Sequence, residues 1–296
     1  MKITRYYYTE YDEKLHNILL KYNVKVKIDE PDVVYKTKRM AFTVYENGQG
    51  WDEYESFLPE RINCIDYEYS KKEMNESKWF YVRSTCMKLD NLNENTFEYS
   101  CYSEEEYFVA GKMRKRVYHE LQVEPFAFKP IKWNDRNHIY SAFEGGYDIM
   151  FCDDIVKELM MTNNVNGIKF EKVLWAKKNI ELPNAHQITT DNIIPDEALV
   201  IEGFEKGYVS IKKCPICGRI TYIPNNAFIL GVKEEYLDEN VDIYRTNYLF
   251  GMSRGLPMYI ISQKIYKLLE NNKMTRNLKI RPLILKWNIK NSLLLK

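Results

Sequence analysis

Apolar and polar positions follow two periods along this chain, and one stretch that combines both of them occurs twice. Residues 148–175 read DIMFCDDIVKELMMTNNVNGIKFEKVLW, and residues 258–285 read MYIISQKIYKLLENNKMTRNLKIRPLIL. They align without a gap when Cys152 is set against Ser262. Ile155 then falls on Ile265, Lys157 on Lys267, Leu159 on Leu269 and Lys169 on Lys279. In each copy a short β-rich run (149–151; 259–261) leads to a residue suited to capping a helix, Asp153 or Ser262. Apolar residues then recur at helical spacing: Ile155, Val156 and Leu159 in one copy, Ile265, Tyr266, Leu268 and Leu269 in the other. Gly167 or Asn277, both tolerant of left-handed backbone, follows the helix exit loop. A period-2 strand closes each unit, with Ile168, Phe170 and Val173 matching Leu278, Ile280 and Leu283. The pattern predicts one strand–helix–strand unit, present twice.

The remaining stretches predict shorter elements. Residues 12–22 carry Leu15, Ile18 and Leu19 at helical spacing, followed by the alternating Val24, Val26 and Ile28. Residues 40–45 read as a strand ended by the turn-forming Asn47, Gly48, Gln49 and Gly50. Ser70 and Glu73 have the spacing of a capping box, which predicts a short helix through residue 78, with a strand at 79–82. From 97 to 128, short aromatic strands alternate with charged connectors, which read as solvated hairpin faces. Pro183, Pro195, Gly203 and Gly207 mark 176–213 as a connecting region with one or two strands. The expected fold is α+β, in two related halves, 1–175 and 176–296. Each half carries one strand–helix–strand unit, and the first has a β-rich N-terminal extension.

Composition narrows the class. A chain of 296 residues, 45% hydrophobic and 29% charged, can bury a large core. A net charge of +1 gives no support for a nucleic-acid partner. The N-terminus lacks the apolar core of a signal peptide, and no apolar run approaches membrane-spanning length. Six cysteines without such a leader point to a reducing cytoplasm and against a disulfide framework. The expected protein is cytoplasmic, with no membrane partner. Its 24 tyrosines offer rigid amphipathic contact area of the kind protein interfaces use.

The sharpest chemical motif is Cys214-Pro215-Ile216-Cys217-Gly218. Two thiolates two residues apart on a turn supply half of a tetrahedral zinc site, and Lys212 and Lys213 favour the thiolate form. Cys214 and Cys217 are therefore the candidate metal ligands. No second CxxC exists, and the other cysteines (64, 86, 101, 152) and histidines (16, 119, 138, 186) are scattered. A dithiol redox site fits less well, since residues 219–223 continue as strand where a helix is needed. A metal-free turn is the third reading.

Gly251-Met252-Ser253-Arg254-Gly255 matches the G-x-S-x-G elbow in letters. However, Leu256-Pro257 and a strand follow it, and no histidine occurs after His186. Asp153-Asp154 reads as carboxylates favoured at a helix N-terminus, because the other copy has Gln263-Lys264 there. Pro31-Asp32 and Pro195-Asp196 lack the acidic-x-Lys triplet of a metal-dependent nuclease. No catalytic constellation emerges, and the chain is expected not to be an enzyme. Residues 234–242 are acidic, and the chain after Glu270 is basic (Lys273, Arg276, Lys279, Arg281, Lys286, Lys290, Lys296).

Four stretches, about half the chain, carry a family resemblance: YSKKEMNESKWFYVR (69–83), YDIMFCDDIVKELMMTNNVNGIKFEKV (147–173), KKCPICGR (212–219) and DIYRTNYLFG…MYIISQKIYKLLENNKM (242–274). With a CxxCG between two strand–helix–strand units, the chain resembles bacterial immunity proteins of polymorphic and contact-delivered toxin systems, including the double-CxxCG motif family. It departs from that family's pattern in having one CxxCG where the family has two. The resemblance implies a non-catalytic cytoplasmic protein that binds and blocks a cognate toxin by stoichiometric occlusion. The alternative expectation is a zinc-ribbon-like adaptor or regulator that uses the CPICG knuckle and holds zinc.

Overall fold

A computed structural model describes residues 1–285 apart from 61, 63, 86, 110–111, 135, 143–148, 203–208, 217, 219, 225–228, 248 and 251–256. The chain opens with β1 (Lys2–Glu10), α1 (Glu13–Lys21), β2 (Val26–Asp29), β3 (Arg39–Tyr45), α2 (Trp51–Tyr54) and β4 (Cys64–Glu68). These strands form one antiparallel sheet in the order β2-β3-β1-β4. Strands β1 and β2 therefore run parallel with β3 between them, the split βαβ arrangement of ferredoxin-like sheets. Side chains alternate across the pleat. Tyr7, Met40, Phe42 and Val44 turn inward and bury Leu15 and Leu19 of α1 together with Trp51 and Tyr54. Tyr6, Tyr8, Ala41, Thr43 and Tyr45 consequently face the other way.

Next come α3 (Lys71–Glu76), β5 (Trp79–Ser84), β6 (Met87–Leu89) and the hairpin β7 (Phe97–Val109) and β8 (Lys112–Gln122). Helix α3 starts at the full capping box of Ser70 and Glu73 and stops two residues short of the expected end. Then follow β9 (Ala127–Phe128), β10 (Ile139–Ala142), β11 (Met150–Cys152), α4 (Asp154–Thr162) and β12 (Lys169–Trp175). Past residue 175 the chain continues with β13 (Ile180–Thr189), β14 (Ile193–Ile194), β15 (Leu199–Glu202), β16 (Val209–Lys213), β17 (Ile220–Pro224) and β18 (Ile229–Val232). It closes with β19 (Ile243–Thr246), β20 (Leu249–Phe250), β21 (Tyr259–Ser262), α5 (Gln263–Asn271), β22 (Leu278–Pro282) and β23 (Ile284–Leu285). The fold class is α+β, as the sequence predicts.

The two predicted units each sit in a sheet completed from elsewhere in the chain. One sheet has the order β6-β10-β11-β13-β12-β9, the other β14-β19-β21-β5-β22. Between β11 and β12 lies β13, from beyond residue 175, while between β21 and β22 lies β5, from before it. The pairing registers correspond. Phe80 faces Ile261 as His186 faces Cys152, and Val82 faces Ile280 as Ile188 faces Phe170. On the outer side, Ile139 pairs with Cys152 as Ile243 pairs with Ile261. The short parallel strands match too: Met87 joins Ser141 as Ile193 joins Arg245, and Phe128 joins Trp175 as Val232 joins Leu285. Segments 1–175 and 176–296 thus exchange a strand in each direction. Helices α4 and α5 share one core, in which Val156 and Met160 meet Ile265, Tyr266 and Leu269 over Phe80, Val82 and Ile243.

The ungapped alignment is corrected inside the helix. Asp153 accepts from the Val156 N–H and Ser262 from the Ile265 N–H, so these caps are equivalent, one position off the Cys152–Ser262 register. Val156 and Met160 are the buried counterparts of Ile265 and Leu269, whereas Ile155 is 53% exposed. The opening strands share this shift, Cys152 matching Ile261, whereas the closing strands keep the original register, Phe170 matching Ile280, because the second exit loop is one residue longer. Left-handed backbone at the helix exit also lies elsewhere than expected: it is Asn164 (φ 50) and Lys273 (φ 59), not Asn277. Both helices end in the same Schellman motif, with Val165 N–H bonding Met160 O at 3.0 Å and Met274 N–H bonding Leu269 O at 2.8 Å.

The N-terminal α1 is a third helix of this kind. It too has nine residues, is capped by Asp12 and ends with left-handed Asn23 (φ 56) and a Val24 N–H to Leu19 O bond of 3.0 Å.

Gly167 retains a left-handed role one turn later (φ +84), and a Cβ there would stand 2.3 Å from Asn192 Nδ2. That amide is fixed by bonds to Thr190 Oγ1 and Ile243 O. Gly167→Ala is expected to destabilise by about 2 kcal/mol, combining the backbone penalty with the displaced Asn192. A shift of the urea midpoint at unchanged slope is the readout.

Candidate protein-contact surface

Cys214, Pro215, Ile216 and Gly218 of the CPICG segment lie between β16 and β17, with a turn at Pro215 and Ile216. Cys214 is buried, its Sγ accepts the Ile216 N–H at 3.4 Å, and the Gly218 N–H closes back on Cys214 O at 3.0 Å. Gly218 takes a left-handed φ of +76, the reason a glycine stands there. This half of a knuckle is preorganised around one sulfur; Cys217 lies outside the described residues. Among the described residues no group of three or more His, Cys, Asp or Glu is placed to hold a metal ion.

Three histidines are engaged elsewhere: His16 with Tyr11 OH at 3.0 Å, His138 with Asp153 at 2.7 Å and His186 with Asp154 at 2.7 Å. Cys152 is fully buried, and burial pushes its thiol well above the ordinary value, with Asp153 adding to the effect. It is packing, not a nucleophile. The segment 251–255 and the basic stretch 286–296 lie outside the described residues.

Asp153 and Asp154 stand at the N-terminus of α4 as expected, but each also holds a histidine that its sequence position gave no reason to pair with it. His138 precedes β10, and the His138–Asp153 pair is buried; His186 on β13 reaches the half-exposed Asp154. Asp153→Ala removes a cap and leaves His138 without its carboxylate. A loss of about 2 kcal/mol is expected from these two effects together. Asp154→Ala should lose less than about 1 kcal/mol, since its carboxylate is solvated. Urea unfolding of both variants checks the ranking.

A different feature stands out on the outer face of the N-terminal sheet. Tyr6 and Tyr45 are 39% and 44% exposed there. The β2–β3 loop bends over this face through an Asx turn. Asp32 Oδ1 accepts the N–H groups of Val34 (2.8 Å) and Tyr35 (2.6 Å), and the Asp32 N–H bonds Tyr35 O at 2.8 Å. The turn holds Val33 and Val34 out in water, 98% and 76% exposed. Behind them Tyr35 meets Tyr8 edge-on at 5.6 Å, and the Arg39 guanidinium lies over both rings, 4.7 and 4.6 Å from their centroids. Arg39 Nη2 donates to Tyr8 O at 3.4 Å, while its Nε is buried without a hydrogen-bond partner. An open cleft of about 870 Å³ runs alongside, lined in part by Tyr6, Lys25, Lys27, Thr43 and Tyr45.

The charges on this face are unevenly committed. Asp29 pairs with Lys27 at 2.8 Å and Glu30 with Lys38 at 3.1 Å. Asp32 is spent in the turn, and Glu10 accepts from Thr37 at 3.2 Å. Lys25, Lys36 and Arg39 form no ion pair among the described residues. The face therefore presents tyrosine, aliphatic and cationic groups with its own carboxylates already engaged.

No protein-family model matches the chain, and no curated protein matches it in sequence. Among the described residues no helix is long and apolar enough to cross a membrane.

Proposed function

We propose that this protein is a cytoplasmic immunity protein that neutralises a cognate bacterial toxin by stoichiometric binding, without catalysis of its own. The observation that carries this reading is the exposed face of Tyr6, Tyr35, Tyr45, Val33, Val34 and Arg39. Tyr and Arg dominate the energetics of protein interfaces because they bury large area at small entropic cost and still form hydrogen bonds. Exposed aliphatic side chains held by a rigid turn add to that area without an ordering penalty. Occlusion needs such a surface and no reactive group. The test is growth rescue by co-expression with the product of the adjacent gene. The reading requires that product to kill alone and this chain to restore growth through a stable complex.

A second reading, a zinc-ribbon-like adaptor or regulator, is favoured by one observation: the Ile216 N–H to Cys214 Sγ bond together with left-handed Gly218. Metal analysis of the purified protein and of the Cys214→Ser, Cys217→Ser double variant weighs it. Stoichiometric zinc lost in the variant supports a site, and a metal-free wild type removes the reading.

A further inference from the structure

We propose that the outer face of the N-terminal sheet is the docking surface, and that its partner is a protein presenting an apolar pocket rimmed by carboxylates. This rests on the toxin-binding reading for the partner's role, and on the face itself for the partner's chemistry. Val33 and Val34 form the knob: they protrude together, and the Asp32 turn fixes them before contact. Arg39 is the charge receptor. Its guanidinium is already stacked over Tyr8 and Tyr35, so its plane is fixed before a carboxylate arrives. Lys25 and Lys36 supply a basic rim.

Charge complementarity sets the sign. Two carboxylates of this face are ion-paired with lysines, and Glu10 and Asp32 are taken up by neutral donors. Lys25, Lys36 and Arg39 have no ion pair among the described residues, so the face keeps a small excess of positive charge for an incoming acid. A basic or neutral partner would leave Arg39 desolvated against nothing.

Two arms test the proposal on the full-length protein. In the first, random dodecapeptides displayed on phage are selected on wild type and counter-screened on Arg39→Gln and on the Val33→Ser, Val34→Ser double variant. The latter changes only exposed loop side chains, so its fold is retained. Selected peptides should combine Asp or Glu with aliphatic residues. Their affinity should fall about 30-fold with Arg39→Gln and about tenfold with the valine pair replaced. Basic or neutral peptides, equal binding to the variants, or no enrichment would each overturn the proposal. So would fluorescein-labelled oligothymidylate binding lost in Arg39→Gln, or self-association abolished by it, because the face would then serve a nucleic acid or a second copy.

In the second arm, binding of the adjacent gene's product is measured with the same variants and with Lys25→Glu, Lys36→Glu. That last pair should slow association about tenfold. A product that binds wild type and all variants alike sinks the surface and leaves the toxin reading standing. Acidic peptides that bind while the product does not sink the toxin reading and leave the surface.

Discussion

Asp242→Ala is expected to lower stability by about 3 kcal/mol, more than any other single truncation considered. The carboxylate is buried just ahead of β19 and joins three segments. It accepts from Ser262 Oγ at 2.7 Å, from the Asn166 N–H at 2.9 Å and from Lys264 Nζ at 3.2 Å. Ser262 is the cap of α5, and Asn166 lies in the exit loop of α4, so one side chain ties the two strand–helix–strand units together. Removing it leaves the part-buried Asn166 N–H and the buried Ser262 hydroxyl without their acceptor. Asp242→Asn keeps the shape and one acceptor oxygen and should cost about half as much. Because the exchanged strands make the two units interdependent, both variants should unfold in a single transition with unchanged urea slope. An early, separate transition in Asp242→Ala would show that the units unfold independently.

Arg281→Met is the next largest, at about 2 kcal/mol, since Arg281 is buried but its partner Asp66 is part-exposed and screened by solvent. The Met stem preserves the packing of the Arg methylenes, which isolates the polar loss. Arg281 on β22 is buried, bonds Tyr81 OH at 3.1 Å and pairs with Asp66 of β4, which also takes Lys279 Nζ at 2.5 Å. This cluster attaches the N-terminal sheet to the rest of the molecule.

For the Asp66 carboxyl, burial acts upward, but the Lys279 hydrogen bond and the Arg281 and Lys279 charges together hold it below its ordinary value. A carboxyl depressed in the folded state stabilises above its unfolded pKa and loses that contribution as pH falls through the folded one. Asp66→Asn should therefore cost about 1 kcal/mol at pH 7, kept small by solvent screening. The difference from wild type should shrink as pH falls below about 4. Unfolding midpoints across that range give the comparison.

Local signals were legible wherever a side chain acts on its own backbone. The capping box of Ser70 and Glu73 and the caps at Asp153 and Ser262 follow from short-range spacing alone. The apolar face of α4 was read one position off because Ile155 and Val156 are adjacent, and periodicity alone does not separate them. The likeness of α1 to α4 is legible in the same short-range way, since a capping Asp precedes a left-handed Asn by the same interval in both, Asp12 to Asn23 and Asp153 to Asn164. Strand exchange left no local trace: β5 and β13 are ordinary strands, and their partners are fixed by tertiary pairing.

The contact face was illegible for the opposite reason. Val33-Val34-Tyr35 reads as apolar strand, and only the Asp32 turn places it in water. Arg39 becomes a receptor only once β3 brings it under Tyr8 and the loop lays Tyr35 beside it.

The most direct measurement is a titration of the adjacent gene product's toxic activity, in purified form, with increasing amounts of this protein. Neutralisation by occlusion predicts a linear fall that reaches zero at a fixed stoichiometric ratio, with the complex recovered intact. Loss of activity at far below that ratio, or activity untouched by an excess, would contradict it.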